Sequence, residues 1–292
     1  MKSRSKAELA LAGVTVIWGS TFVLVKSALE DISTYLFLTL RFAVAALALF
    51  AIYRTAIRRK GIFPGIAAGC LLFTAYAFQT LGLKLTSPSK SAFLTGLSIP
   101  MVPLASSLVY RVRPRLPEVI GIVVASFGMA LMTLPSGRFE ISHGDFLSFL
   151  CAVVFALHIV VISHYSQGGA FQTLAVMQVA TAAILGFGSV LIAEPAKIQM
   201  NVQVAAAVLI TGLLATALAF TTMAWAQQYT TATRSALIFS LEPVVAWLTS
   251  WVMTGETLPL RGQAGAALIL AGVLMVELRF GGNATNKAEA AS

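Results

Sequence analysis

At 292 residues, 58% hydrophobic and only 11% charged, with a mean hydropathy of +0.86, this chain is too apolar for a soluble domain, where about a quarter of the residues carry charge. Its formal net charge of +9 is split among short loops and never forms one basic face with interleaved aromatics, which excludes nucleic acid as a partner. Cys70 and Cys151 lie in separate apolar stretches; they make neither a disulfide framework nor a metal site and read as buried fillers.

Ten apolar stretches follow one another at 8–27, 34–53, 62–83, 90–110, 117–134, 143–163, 172–193, 203–226, 232–252 and 260–278. Each is about long enough to cross a hydrocarbon core of roughly 30 Å. The connections are short and leave no room for a soluble domain. The basic start, Met1 to Lys6, runs into the first stretch without a clean small-residue cleavage site, so it reads as a retained helix rather than a signal peptide.

In the first stretch Trp18-Gly19-Ser20 sets a large ring beside a backbone gap, and Lys26 near its end can snorkel. Arg41 lies seven residues into the second and needs a carbonyl or carboxylate partner at that depth. The third has Gly61, Gly65 and Gly69 at a spacing that permits close backbone approach, followed by Tyr76, Phe78 and Gln79. The fourth contains Gly96-Leu97-Ser98-Ile99 and then Pro100 and Pro103. Ser98 lacks a following glycine and an activating histidine, so a serine-protease reading fails and a packing or cavity-lining role is expected.

His143 opens the sixth stretch, and His158 and His164 sit six apart, about 240° around a helix and so on different faces. No carboxylate stands four residues from any histidine, which rules out a zincin-like site. No enzyme, cofactor or metal is expected. Phe220, Met223 and Trp225 come late in the eighth stretch, and Phe239, Ser240, Glu242 and Pro243 lie in the ninth. Pro100 and Pro243 are read as mid-helix defects that free backbone carbonyls, tolerated in lipid only where protein or water satisfies them. Glu242 beside Pro243 must be protonated, paired or facing water. It reads either as a proton-coupling or substrate-amine group or as a hydrogen-bond partner for the freed backbone.

Two parts of the chain repeat. Ala75-Tyr-Ala-Phe-Gln79 through Ser91 and Pro100 to Gly121 and Gly128 is echoed by Ala217-Leu-Ala-Phe-Thr221 through Ser235 and Pro243 to Gly265 and Gly272. Ser91 and Ser235, Gly121 and Gly265, and Gly128 and Gly272 are each 144 residues apart. Five helices per copy is an odd number, so the second copy enters the membrane from the opposite side. That inverted arrangement places a substrate site between the halves near the midplane. The expected division is 1–139 for the first repeat, 140–279 for the second and 280–292 for a polar, disordered tail.

With the N-terminus inside, thirteen Lys and Arg fall in cytoplasmic segments, among them Arg54, Arg58, Arg59, Arg111 and Arg115, against five outside: Lys84, Lys90, Arg138, Lys197 and Arg261. That bias places both termini in the cytoplasm. Asn283 opens an Asn-Ala-Thr sequon, which has no consequence on that side.

These features carry a resemblance. Trp18-Gly19-Ser20-Thr21-Phe22, Leu40-Arg41-Phe42, Ser240-Leu241-Glu242-Pro243, Gly255-Glu256 and Gly265 to Gly272 are similar to the drug/metabolite transporter superfamily, in its ten-helix type with two EamA repeats. The resemblance spans about residues 8–278; Val112-Arg113 stand in the first half where Gly255-Glu256 stand in the second. It implies an all-α integral membrane fold, ten transmembrane helices as two inverted five-helix repeats around a central cavity lined by the fourth and ninth helices. The Trp18 and Tyr76 to Gln79 regions look most like bacterial exporters of aromatic and other neutral amino acids, the YddG type.

The implied function is export of amino acids or related small metabolites across a bacterial inner membrane by alternating access. The alternative is proton-coupled efflux of other metabolites or cationic drugs, and a membrane enzyme or scaffold ranks below both. No cluster of deep basic residues awaits a phosphate, which disfavours sugar nucleotides and sugar phosphates. The candidate cavity residues are Trp18, Tyr76, Phe78, Gln79, Ser98, Pro100, His158, Phe220, Met223, Phe239, Ser240 and Glu242. Expected partners are a small-molecule substrate and membrane lipids, with the chain a monomer and a dimer left open.

Overall fold

A chain surrounded by hydrocarbon must satisfy its own backbone hydrogen bonds, and this one does so with helices. The computed structural model describes residues 2–85, 91, 94–111, 113–133, 142–193, 195–254 and 259–289. The helices are α1 (Lys2–Asp31), α2 (Thr34–Tyr53), α3 (Arg59–Leu85), α4 (Ser98–Tyr110), α5 (Leu116–Thr133) and α6 (His143–Ser166). They continue with α7 (Phe171–Ile192), α8 (Val202–Ala226), α9 (Ala232–Phe239), α10 (Glu242–Thr254) and α11 (Leu260–Glu289). Among the described residues the only β pairing is an isolated bridge between Ile32 and Ile198.

Local chemistry sets several starts. Ser142 and Asp145 form a reciprocal capping box at α6, and Asn201 and Thr231 cap α8 and α9 through their side-chain oxygens. Arg111 ends α4 in the left-handed conformation, with φ of 57°.

Among the described residues five helices are long and apolar enough to cross a membrane: Thr34–Ala56, Arg59–Leu85, His143–Ser166, Phe171–Ile192 and Val202–Ala226. The first helix, bent by 40° between Phe22 and Leu24, makes a sixth. Leu94–Tyr110, Leu116–Met132 and Leu260–Met275 are shorter apolar helices. Large apolar side chains such as Leu47, Phe63, Leu108, Val123 and Ile192 point outward, as a lipid-facing surface requires.

Packing between the halves occurs in exchanged pairs. α3 lies on α6 as α8 lies on α1; α3 lies on α7 as α8 lies on α2; α4 meets α6 as α9 and α10 meet α1. The repeat-equivalent helices α2 and α7, and α5 and α11, pack directly on each other. Glycines fix the sense of the last crossing. A Cβ on Gly128 would lie 2.6 Å from the Gly265 carbonyl, one on Gly272 would lie 2.7 Å from the Gly121 carbonyl, and one on Gly265 would strike the Gly128 carbonyl. Early residues of α5 thus face late residues of α11, so two helices that correspond in sequence run antiparallel. This is inversion seen directly in the packing.

Two expectations change. Pro243 is the second residue of α10, and the ninth stretch is broken at Ser240 and Leu241 rather than kinked midway. The fourth stretch breaks likewise at Leu97, and Pro100 falls in the first turn of α4. In a first turn proline costs nothing, because its missing N–H has no helical acceptor there. Of the prolines in these two stretches Pro103 is interior and leaves the Ile99 carbonyl without its helical donor. At the C-terminus α11 is described as far as Glu289, within the stretch 280–292 expected to be a disordered tail. Lys90, Val112, Arg138, Gly255, Glu256 and the expected boundary at residues 139–140 lie outside the described residues.

Candidate functional site

The two broken helices and the bent α1 frame one cavity. Helical spacing explains who lines it. α1 contributes Trp18, Thr21, Phe22 and Val25, and α3 contributes Tyr76, Gln79, Thr80 and Leu83. Both sets follow the i, i+3, i+4, i+7 rhythm of one helix face. α6 adds Phe155, His158 and Ile159; α8 adds Phe220 and Met223; α4 adds Ser98 and Ile99. Phe239 ends α9 at the wall, and Glu242, Pro243 and Ala246 present the start of α10.

Nine of the twelve candidate residues therefore meet at one cavity, and three do not. Phe78 is two residues from Tyr76, about 200° around the helix, so it faces away. Pro100 turns off the face shared by Thr95, Ser98 and Ile99. Ser240 is fully buried, and its hydroxyl donates to the Leu237 carbonyl at 2.6 Å. It satisfies the broken backbone rather than the cavity.

The aromatic lining is a connected cluster. Trp18 stands 5.4 Å from Phe220 and 5.1 Å from Phe239 between ring centres. Tyr76 meets Phe155 and Phe220 edge-on at 5.4 and 6.2 Å, and the His158 ring meets Phe220 at 5.7 Å. Such tilted and edge-on pairs are the favourable geometries. The His158 ring shares a hydrogen bond with Gln178 Oε1 at 2.8 Å.

Arg41 was recognisable as a deep charge in need of a partner, but its place in the cavity wall was not read from the sequence. Its Nε donates to Thr216 Oγ1 at 2.7 Å, and its Nη2 donates to the Tyr76 hydroxyl at 3.0 Å and to the Ala215 carbonyl at 3.4 Å. The guanidinium also lies 4.3 Å from the centre of the Tyr76 ring, a cation–π contact. The carbonyl is available because Leu213–Leu218 form a π turn inside α8, a local unwinding that disturbs the α-helical bonding pattern. The same carbonyl accepts from Trp18 Nε1 at 2.9 Å. Nη1 of Arg41 has no hydrogen-bond partner among the described residues, nor does the Glu242 carboxylate. Gly19, next to Trp18, packs so closely on α10 that a Cβ there would lie 2.9 Å from the Glu242 carbonyl. Trp18 thus shares the Ala215 carbonyl with Arg41, and Gly19 packs on the backbone of Glu242.

The pattern of the EamA-like transporter family matches twice, over residues 5–134 and 142–278. An uncharacterized transporter of Archaeoglobus fulgidus is 36% identical over 276 residues, covering 94% of this chain and 87% of that protein. The uncharacterized transporter YoaV of Bacillus subtilis is 24% identical, covering 94% and 98%. One solved crystal structure is similar with a TM-score of 0.78 and 21% identity, covering 94% of this chain and 97% of that one, a likeness of fold. Helices of membrane-spanning length, an inverted pair of halves, a central cavity and a double family match lead to one statement: the chain belongs to the EamA-like transporter family and is a multi-pass membrane transporter.

Proposed function

We propose that the protein exports amino acids, aromatic and other neutral ones, or small metabolites of the same build, across a bacterial inner membrane by alternating access. The observation that carries this reading is the pairing of two opposite charges inside one aromatic cavity. Arg41 and Glu242 line the same space, and each keeps polar atoms without a protein partner among the described residues. Unpaired charges at this depth are costly. A zwitterion offsets both: its carboxylate meets Nη1 of Arg41 and its ammonium meets Glu242. Its side chain then lies against Trp18, Phe220 and Phe239, and Gln79 and Thr80 serve remaining polar atoms. A phosphate ester would need several converging cations, and among the described residues Arg41 is the single Lys or Arg in the lining.

A second reading, efflux of organic cations, is favoured by one feature: Glu242 faces an aromatic box suited to a cation. Proteoliposomes separate the two. A panel of labelled phenylalanine, its decarboxylated amine and its deaminated acid is measured for uptake with and without an imposed pH gradient. Phenylalanine is expected to move fastest. Faster uptake of the amine transfers the assignment to cation efflux, and movement of none of the three overturns both readings.

A further inference from the structure

Away from the cavity, the molecule holds a second set of charges shared by its two halves. Arg234, 3% exposed at the start of α9, reaches Glu8 of α1 through Nη1 at 3.2 Å and Glu118 of α5 through Nε at 3.1 Å. Glu8 also accepts from Arg4 Nε at 2.7 Å and from the Thr230 hydroxyl at 3.3 Å. Glu118 takes the Arg115 backbone N–H at 2.9 Å. Both carboxylate residues are buried. α1 and α5 belong to the first repeat and α9 to the second, so one guanidinium ties the halves together.

The position of this cluster gives it a role. Trp18, the first cavity residue on α1, lies ten residues beyond Glu8, about 15 Å along the helix at 1.5 Å per residue. On α5, Met129 lies eleven residues beyond Glu118, and on α9, Phe239 lies five beyond Arg234. All three helices place the charges at the end where α1 begins and the cavity further along. Leu11 and Leu237, both essentially inaccessible, lie between. Alternating access requires this end to open, and opening it means parting Arg234 from Glu8 and Glu118.

We propose that Glu8, Arg234 and Glu118 form a latch that closes the cavity at the end where α1 begins. The latch rests on the transporter reading but not on the choice of substrate.

The test reads accessibility at both ends. Cysteines are introduced singly as Leu11→Cys, behind the latch, and Thr95→Cys, half-buried in the cavity wall toward the other end, in a chain whose Cys70 and Cys151 are replaced by alanine. An impermeant maleimide is applied from the corresponding side. With Glu118→Gln or Glu8→Gln, labelling at position 11 is expected to rise about tenfold and labelling at position 95 to fall, because tenfold is a bias of about 1.4 kcal/mol between states. Arg234→Lys keeps the charge but not the fork that spans two carboxylates; it should give a smaller shift in the same direction and serves where a neutral variant does not fold. A rise at position 11 with no fall at position 95 would mean local loosening, and unchanged labelling in Arg234→Lys and in every folded neutral variant would mean a structural tie; either overturns the latch. No substrate enters these readings, so failure of the amino-acid panel leaves them intact.

Discussion

At the scale of single residues, the decisive one is Arg41. It is 4% exposed and is held by Thr216, Tyr76 and the carbonyl of Ala215. Lysine in its place retains the charge and loses the fixed fork. Arg41→Lys is expected to raise the KM for phenylalanine by about tenfold, roughly 1.4 kcal/mol, with little change in melting temperature. A large loss of folded protein instead would assign Arg41 to structure. Glu242→Gln separates its two roles in the same way. The alternative in which Glu242 bonds a freed backbone group is not the observed arrangement, since it has no such partner among the described residues. Because Glu242 is the proposed partner of the substrate ammonium, the variant should raise the KM for phenylalanine and lose any response to an imposed pH gradient; unchanged exchange with a surviving pH response would remove Glu242 from both roles.

At the scale of elements, the glycine crossing of α5 and α11 makes a sharp contrast available. Gly265→Ala would push a Cβ into the carbonyl of Gly128, and Gly272→Ala would push one into that of Gly121. Backbone cannot step aside as a flexible side chain can, so each should destabilise by about 1–3 kcal/mol. Gly13→Ala and Gly188→Ala meet nothing within 4 Å and should be neutral or stabilising by up to about 1 kcal/mol. Melting in detergent checks all four; equal behaviour would refute the close crossing. The helix breaks belong to this scale too. The prolines marked where the fourth and ninth stretches are interrupted, but Ser240-Leu241 and Leu97 take the break, because proline fits a first turn better than a helix interior.

At the scale of the whole molecule, five crossings in each half, the count proposed from the sequence, would oppose the orientations of the halves. A reporter fused after Lys287 is expected to read cytoplasmic and one inserted near Ser142 periplasmic. The same side for both would overturn the five-plus-five count. Charge bias in the water-facing loops points to the cytoplasmic side, and the antiparallel α5–α11 crossing to the opposed orientation of the halves.

Membrane character, the repeat and the family were legible in the chain itself, because apolarity and period are local properties that survive without coordinates. Most of the cavity wall was legible too, through Trp18, Tyr76, Gln79, Phe220 and Glu242, since repeat motifs and mid-stretch polar groups marked it. Phe78 was misplaced for want of strict helical phase. The π turn that offers the Ala215 carbonyl to Trp18 and Arg41 has no local signature. The Glu8–Arg234–Glu118 cluster joins residues more than a hundred positions apart, each of which alone reads as a charge near a helix end. Only the tertiary structure could decide these, because a buried charge is defined by the partners that folding brings to it.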